Sequence, residues 1–207
     1  LTFPDGSYVE GDFENMLPNG NGKMVVEGYI YEGGLMLGKR NGMGKLVTPD
    51  GTVFYGEFFE DMPHGQNTMT DTDGSTYVGN WKDGMKHGYG ERRYSSGDVY
   101  VGQFKEDKRD GMGRYTWSGE YLGQEYYGEY KNNKKHGQGT LIYKSGNKFV
   151  GSFENGEKIG SNQYVNSQSN QSELLKIEKQ KLNAQIESLR IQQQQLAAEQ
   201  ALADQIR

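Results

Sequence analysis

The 207-residue chain has no cysteine, four prolines and three histidines, and only 33% of its residues are hydrophobic. Without cysteine there are no disulfides and no thiolate metal sites, which fits an intracellular protein. No apolar run approaches the roughly 18 residues of a membrane-spanning helix, and the start shows no signal-peptide pattern. So little apolar side chain excludes a thick, multilayered core. The aromatic content, 12% with 15 Tyr and 8 Phe, is too high for a disordered chain. What is abundant is glycine, 31 residues, and it is placed periodically.

The stretch Ser75–Gly97 is the unit. Tyr77, Gly79 and Trp81 stand at i, i+2 and i+4, followed seven residues later by Gly88, then Gly90, and the pattern restarts after Gly97. Such a period decides the architecture before any single residue does. Side chains two apart on a strand share a face, so glycine leaves a gap between two rings that a neighbouring strand's rings can cover. A returning strand near Gly90–Tyr94, after a turn on Lys82–Gly88, makes each unit a β-hairpin. A lone hairpin is marginal in water and needs copies beside it.

Those copies are present. The anchor glycines are Gly11, Gly33, Gly56, Gly79, Gly102, Gly128 and Gly151. Two residues before them stand Val9, Tyr31, Phe54, Tyr77, Tyr100, Tyr126 and Phe149. Two residues after them stand Phe13, Leu35, Phe58, Trp81, Phe104, Tyr130 and Phe153. The pattern Y-x-G-x-F/W, then a turn ending in H-G-x-G, resembles the MORN repeat (membrane occupation and recognition nexus) over residues 1–160. The resemblance implies a mainly β fold, an elongated single-layer antiparallel sheet of repeated hairpins with an aromatic-lined groove. It also implies a non-enzymatic scaffold or targeting module, or an array attached to an enzyme such as a plant-type phosphatidylinositol phosphate kinase. Departures are Val9 and Leu35, which weaken the first two units, Asn67 in place of a turn glycine, and a three-residue insertion within Ser118–Gln124. Leu1–Gly6 matches Leu46–Gly51, the second half of a unit, so the chain is expected to begin in mid-repeat.

Beyond residue 160 the sequence predicts a polar Ser/Asn/Gln-rich linker over 161–172 and one long C-terminal α-helix over 173–207, free of Gly and Pro. Leu175, Leu182, Leu189 and Leu196 recur every seven residues, but the complementary positions Lys179, Ile186, Gln193 and Gln200 make a poor coiled-coil seam. The helix is therefore expected to fold back along the array's own groove through Leu175, Leu182, Ile186, Leu189 and Leu196, with a coiled coil to another chain, then a free helix, as the alternatives.

Nothing in the sequence speaks for catalysis or for a cofactor. His64, His87 and His136 share a slot that elsewhere holds Asn, Asp or Ile, so the slot is structural. The G-x-G pairs continue neither as G-x-G-x-x-G nor as G-K-[ST], so turn geometry explains them. Two binding surfaces remain. An aromatic groove of Tyr31, Phe54, Phe58, Tyr77, Trp81, Tyr100, Phe104, Tyr126, Tyr130 and Phe149 is expected to take a partner's amphipathic helix. Lys82, Lys86, Lys105, Lys108, Arg109, Lys131, Lys134 and Lys135 fall in equivalent turns on one edge, about 9.5 Å apart per repeat. That strip reads either as a solvated edge or as a contact for acidic phospholipids. Charge is uneven: residues 1–74 carry four basic and twelve acidic side chains, residues 75–160 fourteen and eleven. A net charge of −5 speaks against nucleic acid as a partner.

Overall fold

A two-residue loop with both residues at positive φ makes a type I′ turn, whose twist matches that of paired strands. Eight such turns organise the described residues, among them Glu60–Asp61 (φ 48° and 69°), Asp83–Gly84 (51° and 78°) and Asn132–Asn133 (48° and 69°). The computed structural model of the chain describes residues 1–159 and a few positions between 180 and 198. It is one antiparallel sheet of fourteen strands whose order in space is their order in the chain. The strands are β1 (Tyr8–Glu14), β2 (Leu17–Val26), β3 (Tyr29–Met36), β4 (Lys39–Val47), β5 (Val53–Phe59), β6 (Met62–Thr70) and β7 (Thr76–Lys82). There follow β8 (Met85–Arg93), β9 (Val99–Lys105), β10 (Lys108–Thr116), β11 (Glu125–Lys131), β12 (Lys134–Ile142), β13 (Lys148–Glu154) and β14 (Glu157–Ile159).

Two expectations are corrected. The fold class paired the sheet with one long C-terminal helix, but among the described residues no helix reaches seven residues. The described positions from Gln180 to Ala198 are helical and exposed without adding up to one. The fold is mainly β. Leu175, Leu182, Ile186, Leu189 and Leu196, with the linker 161–172, lie outside the described residues. Secondly, the turn between Tyr77's strand and its return is the pair Asp83–Gly84, so β8 begins at Met85 and not near Gly90. The segment read as a long turn is a bulge within the returning strand. In the β3–β4 hairpin, Leu35 opposes Arg40 and Gly33 opposes Gly44, so three residues face one. The histidine slot lies in this bulge.

The chain divides into two compact units, Leu1–Met85 and Lys86–Arg207. In the first, cross-strand partners line up as a glycine row: Gly11, Gly22, Gly33, Gly44, Gly56, Asn67 and Gly79. On one side of this row Val9, Met24, Tyr31, Leu46, Phe54, Met69 and Tyr77 face each other in turn. The second unit repeats the arrangement with Gly90, Gly102, Gly113, Gly128, Gly139 and Gly151.

The gap left by glycine is filled from within the same hairpin. A Cβ placed on Gly44 would lie 2.3 Å from the Tyr31 hydroxyl, and one on Gly113 would lie 2.4 Å from that of Tyr100. The tyrosine ring thus lies flat over a pair of opposed glycines. Its hydroxyl then donates to the carbonyl three residues on: Tyr31 to Gly34 (2.9 Å), Tyr77 to Asn80 (3.0 Å), Tyr100 to Gln103 (2.9 Å) and Tyr126 to Glu129 (3.0 Å).

The third unit has Phe54, which lacks that hydroxyl, and Asn67, which interrupts the glycine row. These two departures compensate each other. Asn67 is fully buried, and its Nδ2 donates to Glu57 O at 2.7 Å, the carbonyl a tyrosine at 54 would have served, and to His64 O at 2.8 Å. Asn67→Gly is therefore expected to cost about 1–3 kcal/mol, because the partly buried Glu57 and His64 carbonyls lose their donor. Adding Phe54→Tyr restores the regular unit and recovers most of the loss, a coupling that urea titration of the four-member cycle measures.

Candidate functional site

The aromatic residues form the packed layer of the sheet. Of the ten rings expected to line an open groove, nine are buried: Tyr31, Phe58, Tyr77, Trp81, Tyr100, Phe104, Tyr126, Tyr130 and Phe149. Phe54 is half-buried. The groove is corrected to a closed ring layer, for a physical reason. Rings lying flat on the glycine row reach the next repeat and pack edge to face, the preferred aromatic geometry. In the first unit Tyr31 meets Phe58 (centroids 5.2 Å) and Phe54 meets Trp81 (5.5 Å). In the second, Tyr100 meets Phe104 (5.1 Å) and Tyr130 (5.2 Å), and Tyr126 meets Tyr130 (5.2 Å) and Phe153 (5.0 Å).

What this layer presents outward differs along the chain. Opposite the second ring of each unit stands Pro18, Arg40 or Pro63 in the first unit, and Arg109, Lys135 or Lys158 in the second. The three cations of the second unit lie over rings. Arg109 is 5.6 Å from Tyr100, 5.4 Å from Tyr115 and 5.2 Å from Tyr130. Lys135 is 5.0 Å from Trp117 and 5.3 Å from Tyr126, and Lys158 is 5.5 Å from Tyr143 and 5.3 Å from Phe149. A cation over a ring face is held by the ring's quadrupole, by about 0.5–2 kcal/mol. Burial, then the neighbouring charges of Lys158 and Arg109, push the Lys135 ammonium below its usual pKa, with Glu157 opposing.

The basic edge divides accordingly. Arg109 and Lys135 belong to the ring layer, and Lys86 faces Asp107 at 3.5 Å. Lys105, Lys108, Lys131 and Lys134 stay exposed beside their turns, where Lys105 opposes Lys108 and Lys131 opposes Lys134. Lys82 is exposed at the corresponding place in the first unit. The turns themselves are held by neighbouring repeats. Asp61 Oδ1 accepts from Arg40 N (2.9 Å) and Nε (3.4 Å), Asp107 Oδ1 from Lys86 N (3.0 Å), and Asn133 Oδ1 from Arg109 N (2.8 Å).

The insertion builds the only loop of eight residues among the described connections, 117–124, with a short 3₁₀ turn at Gly119–Tyr121. Ser118 donates its N–H and Oγ–H to Asp98 Oδ1 (both 2.8 Å), and Tyr115 donates to Asp98 Oδ2 (2.7 Å). Burial would raise the Asp98 carboxyl, but these donors outweigh it and hold it below its usual pKa. Burial and the bond to Asp98 push the Tyr115 phenol up. The loop thereby carries Trp117 into the ring face and leaves Tyr121 and Leu122 exposed. Sequence reading found the insertion but neither its anchor at Asp98 nor the cation row. Basic residues at 109, 135 and 158, each five residues past a ring at 104, 130 and 153, were the available signal.

The MORN-repeat family model matches residues 31–53, 54–76, 77–99, 100–119 and 126–148, more than half of the chain. The chain belongs to the MORN-repeat family. The flanking hairpins β1–β2 and β13–β14 share the register of the matched repeats without being matched. No curated protein matches this MORN-repeat chain. Solved structures similar to it include the TCP domain of Drosophila melanogaster SAS-4 (dCPAP) in complex with a proline-rich motif of Ana2 (dSTIL). That likeness has 15% identity and a TM-score of 0.39, covering 74% of this chain and 88% of that one. The TCP10 domain of Danio rerio CPAP is similar at 15% identity and a TM-score of 0.36, covering 79% and 71%. Likeness of this degree carries no functional argument. Among the described residues no group of three metal-ligating side chains comes together, and no helix is long and apolar enough to cross a membrane.

Proposed function

We propose that this MORN array is a non-catalytic, intracellular scaffold that binds a protein partner on the ring face of its second unit. One observation carries the reading. There, half-exposed Tyr115, Trp117 and Tyr143 border cations held on rings, while the inserted loop projects Tyr121 and Leu122. Aromatic and guanidinium groups of this kind anchor protein interfaces, being large, rigid and amphipathic. An amphipathic helix suits a long face of this kind, laid across successive hairpins.

A photo-crosslinking residue at Tyr143 is expected to capture a polypeptide from the native cell. The same residue at Lys148, an exposed position on a neighbouring strand, is expected to capture far less. Equal capture at both positions overturns the reading. A second reading, contact with acidic phospholipid at a membrane surface, is favoured by one observation: the like-charged pairs Lys105/Lys108 and Lys131/Lys134 stay exposed on adjacent hairpins. Each basic side chain near an anionic surface contributes about 1 kcal/mol. Changing all four to Gln is then expected to abolish binding to phosphatidylserine vesicles at low salt. Wild-type protein that ignores such vesicles removes this reading.

A further inference from the structure

The hairpin turns show how the array neutralises its own cations, and where it stops doing so. Gly38 N and Gly84 N latch onto Pro18 O and Pro63 O, and at the second residue of the four turns that latch onto a cation stand Asp61, Asp107, Asn133 and Gly156. Each reaches back to the cation position of the preceding hairpin: Asp61 N donates to Arg40 O (3.1 Å), Asp107 N to Lys86 O (3.1 Å), Asn133 N to Arg109 O (2.9 Å) and Gly156 N to Lys135 O (2.9 Å). The backbone latch is the same four times, but its side chain is not. Asp61 places a carboxylate on Arg40 and Asp107 places one on Lys86. Asn133 offers Arg109 an amide and its own carbonyl O, at 2.9 Å from Nη2, without charge. Gly156 offers Lys135 nothing beyond the latch.

The Arg40 site, which holds the Asp61 carboxylate, borders a pocket of about 180 Å³; beside Asn133 and Gly156 lies one of about 340 Å³ lined by Arg109, Tyr115, Trp117, Tyr130, Asn133, Lys134, Lys135 and Gly156. Arg109 and Lys135 are half-buried there and Lys134 is exposed at the rim; burial, then the charges of Lys158 and Arg109, depress the Lys135 ammonium. A buried or half-buried cation pairs strongly with an anion, because low local dielectric strengthens the attraction.

We propose that this pocket receives the carboxylate of an Asp or Glu side chain from the partner protein. The carboxylate takes the place that Asp61 and Asp107 fill in cis, and its neighbouring residues stack on Trp117 and Tyr115. This rests on the protein-binding reading above and narrows it to an acidic partner segment. The chain's own repeats argue for a carboxylate over a phosphate, since a carboxylate is what the equivalent slots hold.

The test uses the full 207-residue chain and fluorescein-labelled hexaglutamate and hexaglutamine peptides, read by anisotropy at low salt. Hexaglutamate is expected to bind and hexaglutamine not to. Lys135→Gln and Arg109→Gln are each expected to weaken hexaglutamate by about tenfold or more. Arg109 packs on buried rings and its loss can loosen the fold, so Gly156→Asp provides a second variant that leaves every ring in place. It supplies the missing carboxylate in cis and is expected to weaken the peptide comparably, with a cooperative melt at a modestly lowered temperature because residue 156 sits at φ 98°. The exposed-edge variant Lys105→Gln/Lys131→Gln is expected to leave affinity within about twofold. Equal binding of both peptides, equal loss in the edge variant, or full affinity in Gly156→Asp overturns the proposal. So does binding of phosphatidylserine vesicles by a chain that ignores hexaglutamate, which assigns the pocket to lipid. Crosslinking of a polypeptide from Tyr143 with no hexaglutamate binding leaves the scaffold reading standing and removes only the acidic partner.

Discussion

Gly113→Ala lowers the stability of the second unit by about 2–4 kcal/mol and its melting temperature by many degrees, more than the far bulkier changes its exposed turns accept. The added methyl would lie 2.4 Å from the Tyr100 hydroxyl and 2.5–2.6 Å from its ring carbons Cε2 and Cζ. The ring has no room to withdraw, because Phe104 and Tyr130 pack on it edge to face and Arg109 covers it. Gly113 is extended, so the cost is contact and not backbone strain. Gly146→Ala serves as the comparison: nothing lies within 4 Å of its Cβ, and only its positive φ of 83° opposes the substitution. That variant loses about 1–2 kcal/mol. Cutting Tyr100 back to Val in the Gly113→Ala background makes the two losses subadditive, since the first change removes what the second collides with. A Gly113→Ala protein that melts with the wild type would mean that the tyrosine does not lie over the glycine pair.

The glycine spacing made the hairpin array legible in the sequence, because a strict period of glycine between rings has few structural causes. The two-residue turns were not read correctly. Lys82–Gly88 contains two glycines and looks like a long turn, but Gly84 closes the I′ turn while Gly88, at φ 64°, bends the returning strand in a bulge. The side chain between anchor glycine and second ring explains that bulge. Glu57 accepts from Gln66 N (3.2 Å), Gln103 from Met112 N (2.8 Å) and Glu129 from Gln138 N (2.8 Å), so a polar residue there caps the bulged amide. The site was harder to read. A ring at i and another at i+4 look like the walls of a groove until one sees that an absent Cβ lets the first ring lie down. Period alone places side chains on a face without saying whether they stand or lie. Likewise the basic residues read as one edge strip, although strand alternation turns Arg109 and Lys135 onto the rings and leaves Lys105 and Lys131 in solvent.

The largest single-residue loss is expected at Tyr126, which carries three kinds of contact at once. Its ring is fully buried, lies over Gly128 and Gly139, meets Tyr130 and Phe153 edge to face, and supports the Lys135 ammonium. Tyr126→Ala empties that space and costs about 3–5 kcal/mol. Tyr126→Phe removes only the hydroxyl bond to Glu129 O and costs about 1 kcal/mol. The chain itself supports that division, since Phe54 and Phe149 fill the same slot without a hydroxyl. Because an array of repeats is held mainly by neighbour-to-neighbour contacts, the loss is not shared evenly along it. Strands β11 to β14 should open first, and hydrogen exchange resolves this from a uniform loss. In Tyr126→Ala, amides of Glu125–Lys131 and Lys148–Glu154 exchange at low denaturant while those of Tyr29–Met36 and Val53–Phe59 keep their protection. Loss of protection to the same degree in all four strands would mean that the array unfolds as one body and that ring contacts between adjacent repeats do not carry its stability.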